Sequence, residues 1–176
     1  MATLYTIGHS TRSFDDLVFT LQAHGVETLV DIRAFPVSRR LPHFNREALE
    51  SELPKSGIRY VWKKALGGYR KAIRKDSPHV ALRNASFRNY ADYTLTPEFE
   101  QAMAEMLKIA GYSRTAYMCA ERVYFHCHRM IVSDWLIAHR HEVLHIDAEG
   151  PPRPHTVTAE ARIIEGRMIY CGDQLF

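Results

Sequence analysis

No run of the 176 residues is apolar over anything near the roughly 20 positions that a membrane-spanning helix needs, so a membrane protein of that kind is not expected. The opening MATLYTIGHS carries no basic leader ahead of a long apolar stretch, which argues against a secretory signal and for a cytoplasmic chain. Cysteine is scarce. The 3 present are an odd number, which suits a reducing compartment better than a disulfide framework. Gly-x-Gly-x-x-Gly, the Walker Gly-Lys-Ser/Thr, His-Glu-x-x-His and Gly-x-Ser-x-Gly are all missing. Nucleotide-cofactor enzymes, zincin proteases and ordinary serine hydrolases therefore lack support, and the sequence names no cofactor. There is no internal repeat or low-complexity tract. The nearest approach to a linker is Gly150-Pro151-Pro152-Arg153-Pro154.

What is present is ordinary for a folded chain, at 46% hydrophobic and 24% charged residues. The formal net charge of +3 hides a segregation. Residues 33–88 hold 14 Lys/Arg and 4 Asp/Glu, a net of +10, and the remainder carries −7. Such a segment attracts polyanions, unless it is only a solvated face.

Residues 4–7 form a short apolar run ended by Gly8, the first expected strand. Ser13 stands as an N-cap, Asp15 and Asp16 sit in a first turn, and Phe14, Leu17, Val18 and Leu21 recur at helical spacing. Residues 26–32 read as a buried strand, 45–55 as a helix and 58–62 as a third strand. Thr96-Pro97-Glu98 opens another helix, with Thr as cap and Pro in the first turn. Residues 115–118 and 143–146 are further strands, with a helix over 130–139 between them, and 65–86 carries no assignable pattern. Alternating strands and helices predict a three-layer, Rossmann-like α/β domain over residues 1–150, with a mostly parallel sheet of about five strands. A short C-terminal tail over 151–176 follows, with a hairpin around Glu165-Gly166.

In parallel sheets ligands bind beyond the carboxyl ends of the strands. Three chemically capable segments end strands here: Gly8-His9-Ser10, Asp31-Ile32-Arg33 and Cys119-Ala120-Glu121. Cys127, His128 and Arg129 follow near a helix start, where N–H groups and the dipole favour anions and thiolates. Candidate catalytic groups are His9, Cys119, Glu121 and Cys127; Cys119, Cys127 and His128 are also metal-ligand candidates. The Cys-x₇-Cys spacing fits neither a zinc knuckle nor a Cys-x-x-Cys redox pair, so nucleophile, metal, redox and plain packing roles all stand. Arg33, Arg39, Arg40 and Arg129 are candidate anion holders, because arginine forks grip phosphate. Gly8, Ser10, Asp31, Ser38, Tyr69 and His128 are candidate lining residues. Asp31 reads equally well as an internal partner of Arg33 or Arg40, and Phe35 and Phe44 read as core.

Taken together, these segments resemble domain-of-unknown-function family 488. The matching pieces are Tyr5-Thr6-Ile7-Gly8-His9-Ser10, Val30-Asp31-Ile32-Arg33, Pro36 with Ser38-Arg39-Arg40, Phe44-Asn45, Leu66-Gly67-Gly68, Tyr90-Ala91-Asp92-Tyr93, and Cys119-Ala120-Glu121 with Cys127-His128-Arg129. They run in family order over residues 4–147. Where the family often has an Asp-Pro pair, this chain has Val123-Tyr124-Phe125, a more apolar loop. The resemblance implies a bacterial or archaeal α/β protein and a link to DNA repair, without a reaction. The expected function is binding of nucleic acid or a phosphate-bearing ligand at the C-terminal edge of the sheet, with nucleotide-directed activity. Its rivals are a thiol- or metal-dependent enzyme on a small anionic substrate and a non-catalytic anion-binding or assembly module.

Overall fold

The computed structural model describes residues 1–147 and 150–172. Its order is β1 (Thr3–Gly8), α1 (Phe14–Ala23), β2 (Thr28–Asp31), α2 (Arg46–Glu52), β3 (Arg59–Trp62), α3 (Ala85–Tyr93), α4 (Pro97–Ala110), β4 (Thr115–Cys119), α5 (Arg129–Ala138) and β5 (Glu142–His145). β6 (Arg153–Pro154), β7 (Ala161–Ile164) and β8 (Arg167–Tyr170) complete it. The sheet runs β3-β2-β4-β1-β5-β6, with the first five strands parallel and β6 antiparallel to β5, while β7 and β8 form a separate hairpin. The Rossmann-like α/β reading holds. The sheet gains one short strand within the Pro-rich segment that reads as a linker. The last four positions of the expected tail lie outside the described residues.

Local chemistry sets the helix starts. The Ser13 hydroxyl accepts from the Asp16 N–H, and the Thr96 hydroxyl accepts from the Phe99 N–H ahead of Pro97. Asn84, not noticed in the sequence, caps α3 by accepting from the N–H groups of Ser86 and Phe87. Residues 67–84 hold no helix or strand. No helix among the described residues is long and apolar enough to cross a membrane.

Period-two alternation then sorts the strands onto two cores. Ile7, Leu29, Ala116 and Met118 face α1 and α2, packing with Leu17, Leu21 and Leu49. Leu4, Val30, Tyr117 and Val143 face α4 and α5, packing with Phe99, Met103, Ile131 and Leu136. Each fully buried leucine contributes about 1.5–3 kcal/mol of transfer free energy. The tail joins the second core through Met168 and Tyr170.

This sorting places the site. The helix leaving β1 lies on one face and the helix leaving its neighbour β4 lies on the other. A crevice opens at such a switch, beyond the strand ends. Cys119, the last residue of β4, stands there with Tyr117 on the α5 face.

Candidate functional site

The loops after β1 and β4 are locked edge to edge. His9 donates its N–H to the Cys119 carbonyl (3.0 Å) and Ser10 donates to the Ala120 carbonyl (2.9 Å). The Glu121 carbonyl occupies the place where a Cβ on Gly8 would stand, so only glycine lets the two loops meet. Ser10 holds a positive φ of 50° in the turn that results.

Below this seam the expected rim residues divide into two clusters, on opposite faces of the sheet. On the α1/α2 face Asp31 is fully buried. It accepts from the Arg33 guanidinium (Nε to Oδ1, 2.9 Å), from the Arg33 N–H (3.0 Å) and from the Tyr60 hydroxyl (2.6 Å). Arg33 spends its other donors on the Phe44 carbonyl (2.8 Å) and on His9 Nε2 (3.2 Å). Since that nitrogen accepts, His9 carries its proton on Nδ1, which donates to the Ser10 carbonyl at 2.9 Å. Burial and the neighbouring Arg33 charge lower the His9 pKa to about 4, and the ring stacks on Phe44 with centroids 4.2 Å apart. His9, Asp31 and Arg33 thus satisfy one another, and the structure gives Arg33 an internal carboxylate as its partner.

On the α5 face Cys119, Cys127 and His128 converge. Both sulfurs and His128 Nδ1 lie within 4.8 Å of one another, and all three residues are buried. His128 Nε2 lies 2.9 Å from the Ile32 carbonyl and donates to it, which turns the bare Nδ1 lone pair toward Cys119 Sγ at 3.9 Å. Gly68 makes room for that ring: a Cβ there would collide with Nδ1. The edge of Tyr90 packs against the ring at 5.0 Å, and the Tyr90 hydroxyl donates to the Leu66 carbonyl (2.7 Å), fixing the covering segment.

The two thiols are unequal. The Cys127 thiol, the N–H groups of Glu121 and Ala120 and the Arg129 charge together lower Cys119 to about 7 against its burial. Cys127 gives its proton to that bond, and this and its burial raise it to about 12. One thiolate, on Cys119, is the favoured ionised form.

Arg129 is 1% exposed, and its N–H lies 3.4 Å from Cys127 Sγ. Glu121 sits beside it but is exposed, and it serves Arg129 through its carbonyl. Arg39, Arg40 and Tyr69 are exposed; Tyr69 leans on Phe35 with centroids 5.9 Å apart. Ser38 is a loop brace, its hydroxyl accepting from the Leu41 N–H (3.0 Å). Phe44 is core as expected, whereas Phe35 is 66% exposed, because its loop turns outward after Arg33.

One polar assembly escaped the sequence reading. Asp134 of α5 accepts from His155 Nε2 (2.8 Å), the Thr158 N–H (2.9 Å), the Thr158 hydroxyl (2.6 Å) and the Tyr170 hydroxyl (2.8 Å). His155 Nδ1 in turn meets His145 Nε2 at 2.8 Å. The available signal was a carboxylate inside the apolar run Met130-Ile131-Val132-Ser133-Asp134-Trp135-Leu136-Ile137, which demands buried partners.

The family described as "Domain of unknown function DUF488" matches residues 13–136 of the chain. Searches among curated proteins and among solved structures returned no match.

Proposed function

Because the chain belongs to the DUF488 family, a name that assigns no reaction, we propose its function from geometry: a metal-dependent enzyme acting on a phosphate-bearing substrate at the C-terminal rim. The observation that carries this reading is the convergence of Cys119 Sγ, Cys127 Sγ and His128 Nδ1 within 4.8 Å. Two thiolates and one imidazole are a soft donor set of the kind that zinc favours. The Ile32 carbonyl holding His128 Nε2 is the outer partner that a metal-bound histidine ordinarily has. No fourth His, Cys, Asp or Glu joins the three among the described residues, so a bound ion would keep a position for water or substrate, the pattern of catalytic sites. Exposed Arg39, Arg40, Lys71, Arg74 and Lys75, on the loops that follow β2 and β3, supply an attractive field for phosphate. The unpaired cysteines suit a reducing, cytoplasmic setting.

Metal analysis of the purified full chain tests this beside Cys119→Ser and Cys127→Ser. About one transition-metal ion per chain, lost in both variants, is expected for a three-ligand site. Metal-free protein with a thiol that alkylates quickly near pH 7 would overturn it in favour of a Cys119 nucleophile, for which the lowered Cys119 pKa is the favouring observation.

A second reading, nucleic-acid binding, draws on the exposed rings of Phe35 and Tyr69 on the same two loops as those cations. Anisotropy with labelled DNA and RNA across a salt series tests it. Affinity should fall by roughly 0.7–0.9 in log K per log salt for each phosphate held, and Arg39→Glu/Arg40→Glu should flatten the slope.

A further inference from the structure

A cleft of about 380 Å³, walled in part by Arg129, lies between the ends of β1 and β5 and the loop after β4. Cys119, Cys127 and His128 take no part in its walls. Three arginines line it, Arg122, Arg129 and Arg153, with one carboxylate, Asp147, which pairs with Arg12 and Arg122.

Two of the lining residues each carry a buried polar atom without a partner among the described residues: Arg129 Nε and His145 Nδ1. The Arg129 guanidinium donates to the Thr6 hydroxyl (3.2 Å) and to the carbonyls of Glu121 and Arg122 (3.0 Å to the latter). These are neutral oxygens, and no ion pair to Arg129 exists among the described residues. A buried cation so placed lacks a counter-charge among the described residues.

His145 is the opposite case. Both oxygens of Asp134 accept hydrogen bonds, so His155 donates from Nε2. In the neutral form of the pair, His155 Nδ1 then accepts from His145 Nε2–H, which leaves Nδ1 of His145 as a bare lone pair. Tyr124 stacks on this ring with centroids 3.7 Å apart and holds it against the cleft. The cleft therefore has exposed Arg122 and Arg153 at its surface and, just beneath its wall, a buried cationic donor and one acceptor that requires a proton.

We propose that this cleft binds a small oxyanion that retains one proton, of the hydrogen-phosphate type. Its charged oxygens lie against Arg129, Arg153 and Arg122, and its O–H is donated to His145 Nδ1. Sulfate has the same shape and charge but no proton at neutral pH, and would set an oxygen lone pair against that nitrogen. The site is independent of the metal reading, since it shares no ligand with the thiol cluster.

Calorimetric titration of the full chain with inorganic phosphate, glycerol 3-phosphate and sulfate at matched ionic strength tests it. Saturable binding at one site is expected for inorganic phosphate, which keeps a proton at neutral pH, with sulfate and the proton-free glycerol 3-phosphate dianion each weaker by roughly tenfold or more, because an unmade charge-assisted hydrogen bond is replaced by a repulsive contact. Glycerol 3-phosphate bound above about pH 7 as tightly as phosphate would overturn the O–H contact, since its dianion has no proton to donate. Arg153→Gln, at an exposed position, should weaken phosphate roughly tenfold with an unchanged melting temperature of the free protein. His145→Gln should abolish the preference over sulfate; if that buried variant fails to fold, Arg153→Gln and the sulfate comparison decide alone. No saturable phosphate binding, sulfate binding as tightly as phosphate, or an unaffected Arg153→Gln would each overturn the proposal.

Discussion

Replacing Asp31 with asparagine changes one atom in a densely bonded buried pair. Asp31 is fully buried, and its partner Arg33 is 6% exposed. The amide would keep one acceptor oxygen, but its NH₂ would face a donor, either the guanidinium or the Tyr60 hydroxyl that lies 2.6 Å from Oδ2. Arg33 would remain buried without a counter-charge. Breaking a buried pair from one side costs about 3–5 kcal/mol. At 2–4 °C per kcal/mol for a chain of this size, the melting temperature should fall by about 6–20 °C. Thermal unfolding followed by far-ultraviolet dichroism measures the shift, and urea unfolding the free-energy loss. A second step isolates the charge: Asp31→Asn/Arg33→Met should be more stable than Asp31→Asn alone by at least about 1 kcal/mol, since the orphaned cation is gone. A single variant within about 1 kcal/mol of the parent, or a double variant no better than the single, would refute the reasoning.

Gly68→Ala should displace the His128 ring and cut metal content well below one ion per chain, while stability falls by about 1–3 kcal/mol from overpacking; full metal loading in that variant would count against His128 as a ligand. Acid should destabilise the fold through neutral buried histidines. Burial lowers His9 and His79 to about 4 and His145 to about 3, below their unfolded value near 6.5, so the unfolded chain binds more protons in between. Their stabilisation is complete above about pH 6.5 and drains as pH falls toward 4, each ring contributing up to about 1.4 kcal/mol per pH unit. A urea midpoint flat from pH 7 to 5 would contradict that assignment. Tyr170→Phe removes one donor to Asp134 and should cost about 1–2 kcal/mol in the same assay, with dichroism unchanged.

Local chemistry was legible in the sequence, and remote pairing was not. Ser13 and Thr96 announce their helices because a cap needs only residues three positions away. Arg153–Pro154 reads as a linker because its pairing with β5 depends on where two distant segments meet, and proline is tolerated there only on an edge. The rim was legible as a set of strand ends, but its division was not. Strand alternation places Asp31 on the α1/α2 face and Cys119 on the α5 face, and which face holds which helix is decided by crossovers that no local pattern encodes. Asp134, His145 and His155 each look like an isolated polar residue until the tail folds back.

That folding back has a consequence for the order in which the chain can close. The carboxylate of Asp134 receives its four donors from His155, Thr158 and Tyr170. A ribosome that has released α5 has made none of them. The donors arrive only with His155, Thr158 and finally Tyr170, 32 residues past Ala138, and before them this carboxylate must stay hydrated, since dehydrating it alone is prohibitive. The part of the α5 surface that carries Asp134 stays open to water through that interval, and the tail is the clasp that shuts it.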